Sequence, residues 1–307
     1  MDNSVAGIFA AVPTPFDDSY TPIMPLFMEH CEWVIDQGCD GLNILGSTGE
    51  ANSQTGKARA KIMRAVAASS LDRAALMVGT GTPSLGDTIE LTQLAAELNF
   101  DAALVLPPYY YVPVSDDGLV DFFAAVVASI KNSDIGIYLY NFPQLTGLTF
   151  SPDFIARLIE AFPRQVRGMK DSSGDMQYTN RISTTFAGEF DVFPGSEAPL
   201  PDAIEFAYAG CISASVNATA KQAAKIWRER ESVSGDDARE LRELRAAIQS
   251  VPIAPAAKML TAVRTGQEDW RRMLPPLTTL NAEQEQTMLG VAQRLGFYVS
   301  SQEKNDK

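Results

Sequence analysis

IGIYLYNFPQLTGLTFSPDFIARLIEAFPRQVRGMKDSS, residues 135–173, holds two apolar runs separated by an amphipathic segment. The first run, IGIYLYNF (135–142), is apolar at successive positions rather than alternating ones. That pattern suits a parallel strand covered on both faces. SPDFIARLIEAF carries apolar residues at i, i+3, i+4 and i+7, with Ser151 at its start. A capped amphipathic helix reads this way. VRGMKDSS (166–173) is the second strand. Strand, helix and strand in this order predict a parallel βαβ unit.

The same alternation extends in both directions. Further strand candidates are GIFAAVPTPF (7–16), GLNILGS (41–47), AALMVGTG (74–81), DAALVLPPY (101–109), FDVFPGS (190–196) and GCISASVN (210–217). With the opening pair they make eight, each followed by a helix candidate, at a spacing of about 25–35 residues. The expected fold is an α/β (β/α)8 TIM barrel, with a doubly wound open sheet as the alternative. Beyond residue 230, SGDDARELRELRAAIQS, PIAPAAKMLTAVRTG and NAEQEQTMLGVAQRLG read as three added helices. The expected division is a barrel over 1–230 and a helical extension over 231–307, with a polar, frayed SQEKNDK tail.

Composition narrows the chemistry. The chain has 307 residues, 46% of them hydrophobic, and a formal net charge of −13. An acidic surface repels nucleic acid and anionic lipid, so neither is an expected partner. No stretch approaches the ~20 apolar residues of a membrane span, and MDNSVAGIFAAVPTPF lacks the basic start of a signal peptide. A cytoplasmic protein is expected. Cys31, Cys39 and Cys211 show no metal or disulfide spacing, and His30 is the single histidine. That scarcity excludes multi-histidine metal sites and disfavours a Ser-His-Asp triad. The chemistry falls to Lys, Tyr, Ser, Thr or carboxylates.

In a barrel, reactive residues sit at the C-terminal ends of strands and in the loops that follow. Of nine lysines, only Lys170 lies in a strand; the other eight fall in polar helical segments or the tail. A buried lysine is costly unless it is paired, with Asp171 for example, or neutral. A neutral amine attacks carbonyls. One strand earlier, Tyr140 stands at a similar height, and a phenol beside an amine relays protons. Tyr138 points the same way, because side chains repeat with period two. The loop GSTGE (46–50) has glycine spacing close to a phosphate loop, Gly41 to Gly46, but lacks its lysine. Its amides and the hydroxyls of Ser47 and Thr48 suit a carboxylate at least as well.

GSTGE (46–50), PPYYY (107–111), YNFP (140–143) and GMKDSS (168–173) together resemble the pyruvate-dependent class I aldolase family of dihydrodipicolinate synthase and N-acetylneuraminate lyase. The resemblance runs from PTPF at 13–16 to PPL at 275–277. It implies a (β/α)8 barrel with C-terminal helices, assembled as a homo-oligomer, a dimer or a tetramer. Lys170 matches the Schiff-base lysine and Tyr140 the proton-shuttling tyrosine. Ser47 and Thr48 match the pair that holds the pyruvate carboxylate, with Thr48 also in the relay. Tyr110 matches a tyrosine that completes the relay from a neighbouring subunit. The partners implied are a keto acid and an aldehyde, joined through a covalent imine on Lys170, with no cofactor and no metal.

Subfamily features point away from two members. Leu145 occupies the position where the synthase has an arginine for the acid end of its aldehyde. Ala198 and Ala214 stand where the neuraminate lyases have an acid and a serine for a long polyol. YNFPQLTG and ISAS (212–215) look most like 2-keto-3-deoxy sugar-acid aldolases, with 2-keto-3-deoxygluconate as the type of substrate. Ser172, Gly195, Glu197 and Ile212 complete the candidate substrate contacts. Glu50 and Asn52 are expected to brace the GSTGE loop. A dehydratase or deaminase using the same imine is a further alternative. Less favoured are a non-catalytic binding barrel and a phosphate-binding barrel enzyme.

Overall fold

The computed structural model describes residues 5–130 and 132–297; Lys131 and the SQEKNDK tail lie outside them. Eight parallel strands form: β1 (Gly7–Ala11), β2 (Gly41–Ile44), β3 (Leu76–Gly79), β4 (Ala102–Val105), β5 (Gly136–Asn141), β6 (Val166–Asp171), β7 (Asp191–Pro194) and β8 (Gly210–Ser213). The order is β7-β6-β5-β4-β3-β2-β1-β8. β1 pairs with both β2 and β8, which curls the sheet round on itself. At the seam, Ala209 N donates to Val192 O at 3.0 Å. The fold is a (β/α)8 barrel rather than an open sheet.

Helices α1 (Met24–Asp36), α2 (Gly56–Ala67), α3 (Leu85–Glu97), α4 (Asp116–Ser129), the single turn α5 (Pro143–Thr146), α6 (Pro152–Ala161), α7 (Met176–Thr185) and α8 (Val216–Arg228) surround the strands. Ser151 caps α6, its Oγ accepting from Phe154 N at 3.0 Å. One connection departs from the expected alternation. Between β7 and β8 there is only a 3₁₀ turn, Leu200–Asp202. Residues 195–209 are all that link those strands, and Pro199 and Pro201 interrupt them. Proline lacks a backbone N–H and clashes with the preceding turn, so no longer helix propagates.

Apolar side chains fill two layers. Phe9, Met77, Leu104, Tyr138, Phe193 and Ile212 pack inside the barrel. A larger cluster, including Ile8, Leu42, Phe123 and Phe154, seals the outer strand faces against the helices. This two-sided burial explains why the strands read as continuous apolar runs.

Past the barrel come α9 (Gly235–Gln249), α10 (Ile253–Thr265) and α11 (Ala282–Arg294). Leu244, Ile248, Leu260 and Met288 knit them into a second cluster. The structure corrects one expectation here: Lys258 is not in a polar helical segment. Residues 255–263 of α10 are buried all round, and Lys258 is 0% exposed. Its Nζ donates to Glu50 Oε1 and to Arg272 O, above the Phe16 ring. A helix enclosed on every side has no solvent face, so its lysine needs a buried partner. No single described helix is long and apolar enough to cross a membrane.

Candidate active site

A cavity of ≈ 560 Å³ opens at the C-terminal ends of the strands. Lys170 from β6 and Tyr140 from β5 both line it, and each is 5% exposed. They are register partners on neighbouring strands. Lys170 Nζ lies 4.6 Å from the Tyr140 ring centroid. Asp171 does not pair with this lysine. Consecutive strand residues face opposite sides, and Asp171 is engaged elsewhere. It accepts from Asn141 Nδ2 at 2.8 Å, from Ser173 Oγ at 2.9 Å and from Thr179 Oγ1. Among the described residues, Lys170 makes no salt bridge.

The two inward tyrosines of β5 have separate roles. Tyr138 Oη donates to Asp191 Oδ2 at 2.8 Å, at the opposite end of the barrel. Burial, then the Asp191 charge, pushes its phenol well above the usual range. Tyr138 is a fixed core group, and Tyr140 is the one that meets the cavity.

Ser47 and Thr48 line the same cavity from the loop after β2. Two non-glycine residues with positive φ bracket that loop, Leu45 at 54° and Glu50 at 55°. Such left-handed positions persist where surrounding contacts hold them. Glu50 supplies those contacts. Its Oε1 accepts from Lys258 and its Oε2 from Leu274 N at 2.6 Å. Thr14 Oγ1 donates to Gly49 O at 3.0 Å and Gln54 Nε2 to the same oxygen at 2.9 Å. Asn52 does not brace the loop. It is exposed, and its side chain makes no hydrogen bond among the described residues.

Ser172 and Gly195 also face the cavity. A Cβ on Gly195 would displace Ser172 Oγ and crowd the Asp171 carbonyl, so glycine lets these loops meet with Ser172 in place. Three other candidates lie elsewhere. Glu197 is 0% exposed and absent from the cavity wall. Its carboxylate accepts from Ser213 and Ser215 at 2.7 Å each and from Thr219 at 2.8 Å. Buried and off the cavity wall, this carboxylate is turned to the protein and not to a substrate hydroxyl. Ile212 packs inside the barrel core. Tyr110 sits on the loop after β4, 75% exposed, its ring edge-on to Tyr111 at 5.1 Å. Within a single chain it does not join the cavity.

The charged cavity residue that sequence reasoning missed is an arginine. Arg245, from α9, lines the wall. Its helix carries arginines at 239, 242 and 245, and equal spacing singles out none of them. Their side chains are 66%, 48% and 12% exposed. Only docking of α9 on the barrel separates the third. Among the described residues, no group of three or more His, Cys, Asp or Glu is placed to hold a metal ion.

This geometry agrees with what the chain is similar to. The dihydrodipicolinate synthetase family model matches residues 4–294. The chain belongs to that family. The family's members are lyases of the class I aldolase type, and so is this chain. A 4-hydroxy-tetrahydrodipicolinate synthase of Thermus thermophilus is 30% identical over 97% of this chain and 98% of its own length. A dihydrodipicolinate synthase from Agrobacterium tumefaciens superposes with a TM-score of 0.86 at 27% identity, covering 94% of this chain and 99% of that one. A prophage member of the family from E. coli K12, solved in complex with pyruvate, gives a TM-score of 0.86 at 26% identity, covering 95% and 99%.

Proposed function

We propose that the chain makes or breaks a carbon–carbon bond between pyruvate and an aldehyde through an imine on Lys170. The substrate class is a 2-keto-3-deoxy sugar acid of the 2-keto-3-deoxygluconate type. The observation that carries this is the Lys170–Tyr140 pair, an amine 4.6 Å from the centre of a phenol ring at the C-terminal end of the barrel. The pyruvate complex of the E. coli relative supports pyruvate as the ketone.

Lys170 Nζ attacks the ketone carbon of the keto acid, and water leaves as the iminium forms. Ser47 and Thr48 hold the carboxylate through hydroxyls and loop amides. In cleavage, Tyr140 takes the proton of the C4 hydroxyl while the C3–C4 bond breaks. The electron pair of that bond moves into the iminium and leaves an enamine. Protonation of the enamine at C3 and addition of water release pyruvate and free the lysine. Condensation is the reverse. Tyr110 enters the relay from a neighbouring subunit of a homo-oligomer, which its exposure in one chain permits. The lysine imine is itself the electron sink, so the reading needs no organic cofactor or metal.

Leu145 supports a substrate other than that of the biosynthetic synthase. It lines the cavity, and a leucine offers no partner to a carboxylate. Ala214 lines the cavity too, where a polyol-binding serine would otherwise stand.

Reductive trapping tests the proposal. Borohydride added with pyruvate should attach one reduced pyruvate to Lys170, located by peptide mass. No adduct, or an adduct that survives in Lys170→Ala, rejects it.

A further inference from the structure

Arg245 has no part in the imine chemistry, yet it is a cation held firmly in the cavity wall. Its Nε donates to Gln249 Oε1 at 3.0 Å. Its Nη1 donates to Ser213 Oγ at 3.0 Å and Ser215 Oγ at 2.6 Å. Behind those serines lies Glu197, fully buried, with Oε2 at 3.6 Å from Nη1. Three sides of the guanidinium are therefore committed to protein. Among the described residues its Nη2 makes no hydrogen bond, and that nitrogen is not sealed from solvent.

The arrangement costs an ion pair and leaves two N–H donors free. A pinned guanidinium has little rotamer freedom left to lose on meeting a ligand. The pair is neutral as a whole, but it is oriented. Glu197 is 0% exposed and Arg245 12%, so the positive end meets the cavity. A single carboxylate meets that positive end first. A phosphate dianion would bring two charges to a pair with no surplus positive charge. Leu145, Val251, Ile253 and Leu277 line the same cavity, together with the polar Gln144, Ser172, Ser173 and Ser196. The apolar part of that lining strengthens a charged contact.

We infer that Arg245 binds a carboxylate at the far end of the aldehyde fragment, so that the preferred substrate is a keto acid acidic at both ends. Leu145, after β5, leaves that role vacant on one side of the barrel mouth. Arg245, bonded to the end of β8, supplies it from another. The assignment rests on the imine reading above and moves its substrate class from 2-keto-3-deoxygluconate, acidic at one end, to a 2-keto-3-deoxy sugar acid with a second carboxylate at the other.

The test separates the two. Pyruvate trapping on Lys170 is measured first, in wild type and in every variant. Condensation with saturating pyruvate is then compared for succinic semialdehyde, glyceraldehyde 3-phosphate and D-glyceraldehyde. The carboxylate aldehyde should exceed the neutral one in kcat/KM by at least about tenfold. Arg245→Leu should collapse that ratio by about the same factor. Because this variant strands Glu197, Arg245→Leu with Glu197→Gln serves as the charge-free companion, and its ratio should collapse equally. A protein that traps no pyruvate defeats the imine reading and this assignment together. Trapping without an acid preference overturns Arg245 alone. So does a preference for the phosphate, or an acid preference that survives both variants. An equal loss for acid and neutral aldehydes would make Arg245 a clamp of α9 and nothing more.

Discussion

Tyr140 and Lys170 are register partners on adjacent strands, and the amine stands 4.6 Å from the centre of the phenol ring. A proton shuttle placed so close should matter more for bond cleavage than for imine formation. Tyr140→Phe is expected to lower turnover about 10²–10⁴-fold, the usual weight of a positioned acid–base group. The equilibrium yield of borohydride-trapped pyruvate should change far less. Equal turnover in the variant would remove Tyr140 from the relay.

Tyr110 gives a prediction that depends on assembly. If it acts in a neighbour's site, Tyr110→Phe should lower turnover without changing mass by light scattering. A mixture of that variant with Lys170→Ala should regain activity, because hybrid assemblies pair an intact lysine with an intact tyrosine. Absence of complementation, in subunits shown to exchange, would place Tyr110 outside the chemistry.

Neuraminate should be a poor substrate. Two hydrogen bonds to the polyol are missing at Ala198 and Ala214, each worth ~1–1.5 kcal/mol. Pyruvate release should therefore be about a hundredfold slower than from a substrate that fits. Ala214→Ser, which restores a hydroxyl to the cavity wall, should recover part of it. Efficient release by the unaltered protein would refute this reading of the cavity.

The Lys258–Glu50 pair should be a strong determinant of stability. Both side chains are 0% exposed. Lys258→Met leaves the Glu50 carboxylate buried without its partner and should destabilise by ~3–5 kcal/mol. Lys258→Met with Glu50→Gln should cost much less, since no charge is left unpaired. Urea unfolding of the three proteins decides it; equal midpoints for the single and double variants would count against the pair. Burial lowers the Lys258 pKa and Glu50 opposes that shift.

His30 makes stability depend on pH. It is 1% exposed, with Nε2 on Asn217 Oδ1 at 2.9 Å and Nδ1 accepting from Arg264 at 3.0 Å. Burial, then the Arg264 charge, lowers its pKa from 6.5 to about 3. The folded imidazole thus stays neutral while the unfolded one takes a proton near pH 6.5. Its contribution is intact above pH 6.5 and is lost as pH falls toward about 3. The slope approaches ~1.4 kcal/mol per pH unit below pH 6. His30→Gln should flatten the urea-midpoint profile between pH 6 and 4; parallel profiles would show that other groups dominate.

The barrel was legible because parallel strands buried on both faces announce themselves as continuous apolar runs, and because capped helices separate them. Seven of the eight connections follow that alternation; the short one after β7 escaped because its prolines still look like a helix start. Lys170, Tyr140, Ser47 and Thr48 were legible for a different reason: strand ends are where the fold puts chemistry, and those segments offered few reactive groups. Lys258 and Glu197 were misread, because partners 208 and 16 residues away in sequence decide their burial.

The order of the chain by itself therefore determined the barrel, the lysine and the loop facing it, all of which follow from local periodicity and from which residue types a strand can bury. Tertiary structure alone decided that the Glu50 and Glu197 carboxylates are buried, which tyrosine of β5 meets the cavity, and which of three evenly spaced arginines enters it. The physical reason is that desolvation and hydrogen bonding are set by what packs against a side chain. For Arg245 that is the end of β8, 32 residues away.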